Sequence, residues 1–229
     1  MKNKIYSLLF AILTLIALAA DYVKSDDLLA ISKPLSIVLL LAWLYQAERL
    51  KGRFHKQIFI GLCVALVGDV YAAFAANTYI ETVVFFTQFI CYLFYLRAFR
   101  LDHKSNPKQK NGYLIWAIIG FATFCAGIFF YLQPQLGPQQ AAVLIYTLTL
   151  CFMGIMAVNR FKKVNLLSFK MIFYASLFFL FANTVWAIDR FVQPIVESSA
   201  LVIAGYFIAQ YLMVYGTIVR KLLVTKTEV

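Results

Sequence analysis

Asp69 lies in an otherwise uncharged apolar run, Ile58 to Ala75, long enough to cross a bilayer. A charge at membrane depth costs several kcal/mol on insertion scales, so a chain that keeps one generally turns it towards other helices and uses it. Such a carboxyl could give a proton to a substrate, or hold a proton or coupling ion in a transporter. The plainer alternative is a hydrogen bond that glues one helix to the next. Lys33 beside Pro34, Tyr146, Asn183, Tyr206 and Gln210 are further polar groups at middle or outer depths of apolar segments. Several of them could share a pocket with Asp69.

The elements that must position these groups follow from composition. With 63% hydrophobic and only 14% charged residues, the chain cannot hide its apolar surface inside a soluble domain of 229 residues. The expected fold is an all-α integral membrane bundle, a single polytopic domain over residues 1–229. Eight apolar segments of near-spanning length are expected at Tyr6 to Ala20, Ile31 to Ala47, Gln57 to Ala75, Ile80 to Phe99, Gly112 to Leu132, Gln139 to Val158, Lys170 to Ile188 and Ser199 to Val219. The longest connection, Arg100 to Asn111, is a polar loop too short to fold alone.

The net charge of +11 does not point to nucleic acid, because 18 of the 21 basic residues fall in alternate loops and the two tails. The other side carries Asp21, Asp26, Asp27, Glu81, Asp189 and Glu197 against Lys24 and Arg190, with Lys33 near a helix end. The positive-inside rule makes the basic side cytoplasmic, places both termini there, and suits a bacterial inner membrane. A competing reading takes Met1 to Ala20 as a signal peptide, although its apolar stretch is slightly long for one.

Cys63, Cys91, Cys125 and Cys151 all fall within expected spans and form no metal-binding spacing, so they read as packing residues. His55 and His103 are expected in basic loops, which leaves no histidine at membrane depth for a metal or proton relay. Trp43, Trp116 and Trp186 are expected to pack or anchor rather than bind a ligand. No cofactor is expected. Lys33 could bind a head-group phosphate or simply snorkel to the interface, and Tyr206 with Gln210 forms an i, i+4 pair on one helix face.

Asp69 lies about 18 Å along its helix from the basic end, and Asn183 lies at nearly the same depth on a helix running the same way. A shift of 114 residues places Gly68-Asp69 on Ala182-Asn183 and Tyr92 on Tyr206. The shift equals four helices, so the halves would be two parallel four-helix repeats, with a site near their interface.

Lys33-Pro34-Leu35, Gly68-Asp69, Tyr95 to Phe99, Ala141 to Tyr146, Ala182 to Phe191 and Tyr206 to Gln210, taken in order and spacing, resemble the YhhN or lysoplasmalogenase family of eight-span membrane proteins. The resemblance implies hydrolysis of the vinyl ether bond of lysoplasmalogens to a fatty aldehyde and a glycerophospho-alcohol. It implies a lysophospholipid substrate among membrane lipids, with no nucleic acid partner. Protonation of the vinyl carbon needs an acid, and burial in a low dielectric favours the protonated form of Asp69. The family's second aspartate matches Asn183, preceded by Ala182 where serine is expected, and the family's histidine in the fourth span matches Tyr92. An amide cannot carry the charge of a carboxylate, though it can orient water or a substrate oxygen.

Asp69 and Asn183 are thus the expected catalytic pair, with Lys33, Tyr92, Tyr146, Tyr206 and Gln210 contacting substrate and no metal. Asp189 and Glu197 could replace the missing carboxylate only with helix distortion. The alternatives are a catalytically degenerate lipid-binding relative, or a small-solute transporter, for which most spans lack the proline breaks that gating would use.

Overall fold

The computed structural model describes residues 2–75, 79–105 and 111–223. They form α1 (Lys2–Tyr22), α2 (Asp26–Glu48), α3 (Arg53–Phe74), α4 (Ile80–Ser105), α5 (Leu114–Leu136), α6 (Gln140–Val158), α7 (Leu166–Phe191) and α8 (Ser198–Ile218). Apart from Pro34 in α2 and Pro134 in α5, which lack an N–H, helices of this length close their interior backbone hydrogen bonds within one segment, which is what a hydrocarbon solvent demands. Large apolar side chains cover the outside as well as the core: Leu15, Val67, Trp116 and Phe130 are exposed. The chain is a multi-pass membrane bundle.

Two expectations are corrected. Seven helical stretches, not eight, are separately long and apolar enough to span, because α5, one 3-10 turn (Gly137–Gln139) and α6 form a continuous run of 45 residues, Leu114–Val158. A straight helix of that length would reach about 68 Å. Gly137, at φ +49° and ψ −128°, takes a positive-φ conformation open to glycine, and α6 packs back against α5. Second, α4 continues to Ser105, so much of the expected loop is helix. His55 and His103 accordingly lie in the end turns of α3 and α4 rather than in loops. Lys108, Lys110 and Lys226 of the basic set lie outside the described residues.

The helices pack in chain order as α1–α2, α2–α3 and α3–α4, and again as α5–α6, α6–α7 and α7–α8. α2 touches α8, and α6 touches α4. Moving every label on by four carries the first set of contacts onto the second. The outer helices depart from the pattern, since α1 packs on α8 whereas α5 packs on α7.

Close approach within the two most extensive pairs depends on small residues. A Cβ built on Gly205 would meet Ala182 Cβ at 3.0 Å, and one built on Gly68 would fall 2.2 Å from Thr87 Oγ1. The Thr87 hydroxyl is held by the carbonyls of Val83 and Val84, each at 3.0 Å. Gly68→Ala is therefore expected to push α3 from α4 and cost roughly 1–3 kcal/mol, the usual range for overpacking. A lower thermal midpoint in detergent would register it, and an unchanged midpoint would show that Thr87 yields freely.

The end of the bundle bearing the basic loops is tied by a buried ionic cluster. Asp102 of α4 and Arg160 of the α6–α7 loop are both fully buried. Arg160 Nε donates to Asp102 Oδ2 at 2.8 Å, and Arg220 Nε to Asp102 Oδ1 at 2.8 Å. Arg160 also donates to Ser168, which donates to the Gly216 carbonyl at 2.7 Å. The Arg220 guanidinium lies 4.2 Å from the Phe54 ring centroid, joining α3 to the cluster. At the opposite end Arg190 pairs with Glu81, and Ser199 donates to Asp21 at 2.5 Å.

Candidate functional site

Six of the residues singled out from sequence meet in one cleft. Lys33 of α2, Asp69 of α3, Tyr92 of α4, Tyr146 of α6, Asn183 of α7 and Tyr206 of α8 all line a cavity of about 240 Å³. Val202, Ile203 and Phe207 add an apolar wall from α8. The cleft lies in the half of the bundle away from the basic cluster, beside the first turn of α4. An adjoining cavity of about 220 Å³ shares Glu81, Phe85 and Trp186 with it. Together they fall in the range of small-ligand sites, roughly 300–1,000 Å³.

α4 supplies more of the wall than any other helix. Ile80, Glu81, Val84, Phe85, Gln88 and Tyr92 recur at spacings of three and four and so form one stripe along the helix. Gln88 and Glu81 were not anticipated as site residues. Their spacing from Tyr92 was the available signal, and it stays ambiguous in a helix apolar on every side.

Asp69 is partly exposed to the cleft. Its Oδ2 accepts a hydrogen bond from the Tyr206 hydroxyl at 3.0 Å, and that hydroxyl oxygen in turn accepts from Gln88 Nε2 at 3.1 Å. Among the described residues nothing hydrogen-bonds Oδ1. Lys33 interacts electrostatically with both Asp69 and Asp21, but forms no ion pair with either within 4.0 Å among the described residues.

Asn183 occupies the related position on α7. Its Nδ2 donates to the Phe179 carbonyl at 2.7 Å and to Tyr92 Oη at 3.0 Å, while Oδ1 accepts from the Tyr146 hydroxyl at 2.7 Å. Tyr146 stacks on Phe85 with centroids 4.3 Å apart, and Tyr92 sets its edge against Phe179 at 5.1 Å, so neither ring is free to swing. Residue 69 thus bonds Tyr206 and residue 183 bonds Tyr92, and both pairs are related by the single offset of 114. Each half of the chain reaches across to the other half's tyrosine.

Other expectations resolve differently. Gln210 is wholly buried outside the cleft lining, with Oε1 accepting from Tyr95 at 2.7 Å. It faces Tyr95 because one further helical turn beyond Tyr206 carries it below the cavity floor. Trp186 packs against Phe191 as expected of a packing residue, and it also lines both cavities, since α7 turns the face carrying Asn183 inward. Asp189 caps the α7–α8 connection by accepting from the Ile195 amide at 2.8 Å, and neither it nor Glu197 lines the cleft. The second carboxylate in the cleft wall is Glu81, held by Arg190 at 3.1 Å. Cys91, Cys125 and Cys151 are buried and Cys63 is half-buried. Among the described residues no group of three His, Cys, Asp or Glu could hold a metal.

A family model described as the YhhN family matches residues 28–217, from the first turn of α2 to the end of α8. No curated protein and no solved structure matches the chain.

Proposed function

Because the chain belongs to the YhhN family, we propose that the cleft hydrolyses the vinyl ether bond of a lysoplasmalogen, with Asp69 as the acid. The observation that carries this reading is the placement of one carboxyl, open at Oδ1 and held at Oδ2 by Tyr206, in an apolar-walled cleft at membrane depth. Transfer of the Asp69 proton to the outer vinyl carbon leaves an oxocarbenium ion at the ether carbon. Water adds there and returns a proton to the carboxylate. The resulting hemiacetal breaks its carbon–oxygen bond to give a fatty aldehyde and the glycerophospho-alcohol. Lys33, at the cleft wall, suits the phosphate, and the apolar face of α8 suits the chain.

The same reading takes α5 and α6 as two crossings, giving eight in all, with the basic cluster in the cytoplasm and the cleft served from the outer half of the membrane. The exchanged pairs Asp69–Tyr206 and Asn183–Tyr92 support two parallel repeats with the site between them.

A second reading, a lipid-binding protein without turnover, draws on Asn183. All of its amide hydrogens and its oxygen are engaged with Phe179, Tyr92 and Tyr146, so it cannot serve as a base. Aldehyde release from lysoplasmenyl-ethanolamine separates the two. Active wild type, with Asn183→Asp slower by at least tenfold because the bond to the Phe179 carbonyl is lost and that to Tyr92 reversed, supports hydrolysis. Silent wild type with an active Asn183→Asp variant sinks it and leaves a degenerate site.

A further inference from the structure

The ion pair at the end of the bundle opposite the basic cluster leaves part of each partner unused. Arg190 Nε and Nη2 both lie 3.1 Å from one oxygen, Glu81 Oε2. Among the described residues no hydrogen bond reaches Glu81 Oε1 or Arg190 Nη1. The Glu81 and Arg190 side chains are 61% and 54% exposed, so the pair is open to a ligand. An exposed pair of this kind contributes little to stability, and a ligand that shares it meets little resistance.

The pair stands where the main cleft meets the adjoining cavity. Glu81 lines both, Arg190 lines the second, and the rings of Phe85 and Trp186 are shared walls. Among the described residues no cation lies over either of those rings. The place therefore offers one cation, one anion and aromatic surface, which attracts an ammonium group.

Helix register sets its distance from Asp69. Glu81 precedes Gln88 by seven residues on α4, and Arg190 follows Asn183 by seven on α7. Seven residues make two turns, so each charge stands on the same helix face as the polar group below it, about 10 Å further out. Gln88 is joined to Asp69 through Tyr206. In a single-chain ether lipid with a phosphoethanolamine head, nine bonds separate the ether oxygen from the amine nitrogen, a reach of roughly 10 Å when extended. An ether held at Asp69 thus brings the amine to the level of Glu81, with the phosphate just before it.

We propose that Glu81 and Arg190 form a head-group subsite that selects a zwitterion, a phosphate carrying an amine. Arg190 Nη1 donates to a phosphate oxygen, and Glu81 Oε1 accepts from the ammonium beside the Trp186 ring. The pair stays intact, because Oε2 keeps both of its contacts. A head group with a phosphate and no amine sets negative charge against Glu81, and such like-charge contact rejects the wrong ligand. The inference rests on the hydrolase reading for the class of lipid and for its depth in the cleft.

The test uses the full chain in detergent micelles with two saturated 1-alkyl-2-hydroxy lipids that cannot be hydrolysed, one bearing phosphoethanolamine and the other phosphoglycerol. Displacement of a chain-labelled fluorescent analogue gives each affinity. The wild type is expected to bind the ethanolamine lipid at least fivefold more tightly. Glu81→Gln should bring the two affinities within twofold. Arg190→Gln should weaken both and keep or widen the ratio, because Glu81 is then uncompensated. A pair that merely ties α4 to α7 would respond alike to the two substitutions. Equal binding by wild type, a ratio that survives Glu81→Gln, or one that collapses in Arg190→Gln overturns the proposal. Should Glu81→Gln fail to fold, wild type and Arg190→Gln still decide. Aldehyde is not read, so a protein without turnover answers the question, and turnover with equal binding would sink the subsite alone.

Discussion

Asp69→Asn is expected to lower aldehyde release from lysoplasmenyl-ethanolamine by a factor of about 10² to 10⁴, the range for loss of a general acid. The amide is nearly isosteric and its oxygen can still accept from Tyr206, so the chain from Gln88 through Tyr206 survives. What disappears is the proton at Oδ1, and no amide hydrogen is acidic enough to protonate a vinyl carbon. Thermal unfolding should be unchanged, because one neutral group of nearly the same shape replaces another and keeps the bond from Tyr206. The glue reading of Asp69 predicts turnover kept with the same melting, since the amide preserves the bond from Tyr206. Measuring rate and melting on the same preparation distinguishes the two, and unimpaired release from the variant would remove Asp69 from the chemistry.

The largest effect on stability should come from the other end of the bundle. Asp102→Ala leaves the guanidinium of Arg160, fully buried, facing that of Arg220 with no carboxylate between them. Removing one partner of a buried pair typically costs roughly 3–5 kcal/mol, because a buried charge is stranded. The cation–π contacts of Arg160 with Phe54 and Phe99 are already present in the wild type and so do not offset the loss. The cluster joins α4, the α6–α7 loop and the segment after α8, where Leu223 N donates to the Lys163 carbonyl at 2.9 Å. Its loss should therefore free the C-terminal segment as well. Equilibrium unfolding in mixed micelles measures the cost, and a value within 1 kcal/mol of wild type would mean that water reaches the cluster. Folded variant should keep its wild-type rate per molecule, since the cleft lies in the opposite half.

Several features were legible before any coordinates. The membrane class, the helices and the isolation of Asp69 follow from composition and run length, because hydrocarbon leaves a chain no other way to satisfy its backbone. The offset that pairs Asp69 with Asn183 and Tyr92 with Tyr206 was also visible in the letters. Its meaning was not, since only packing shows that the pairs cross between halves as Asp69 with Tyr206 and Asn183 with Tyr92. Glu81 and Gln88 were hidden for a related reason. In a helix that is apolar on every side, polarity does not mark the inward face, so a site residue and a lipid-facing one look alike.

The sequence by itself determined that this chain must bury a carboxyl within a membrane bundle, since the cost of that charge forces it inward. Tertiary structure alone decided its company: Tyr206 on Asp69, Asn183 locked by Phe179, Tyr92 and Tyr146, Glu81 at the cleft wall, and Gln210 turned to Tyr95 instead. Hydrogen bonds between helices depend on rotation and height to within about an ångström. Such precision is set by the meeting of small residues such as Gly68 and Gly205 with their neighbours, and no single helix encodes it.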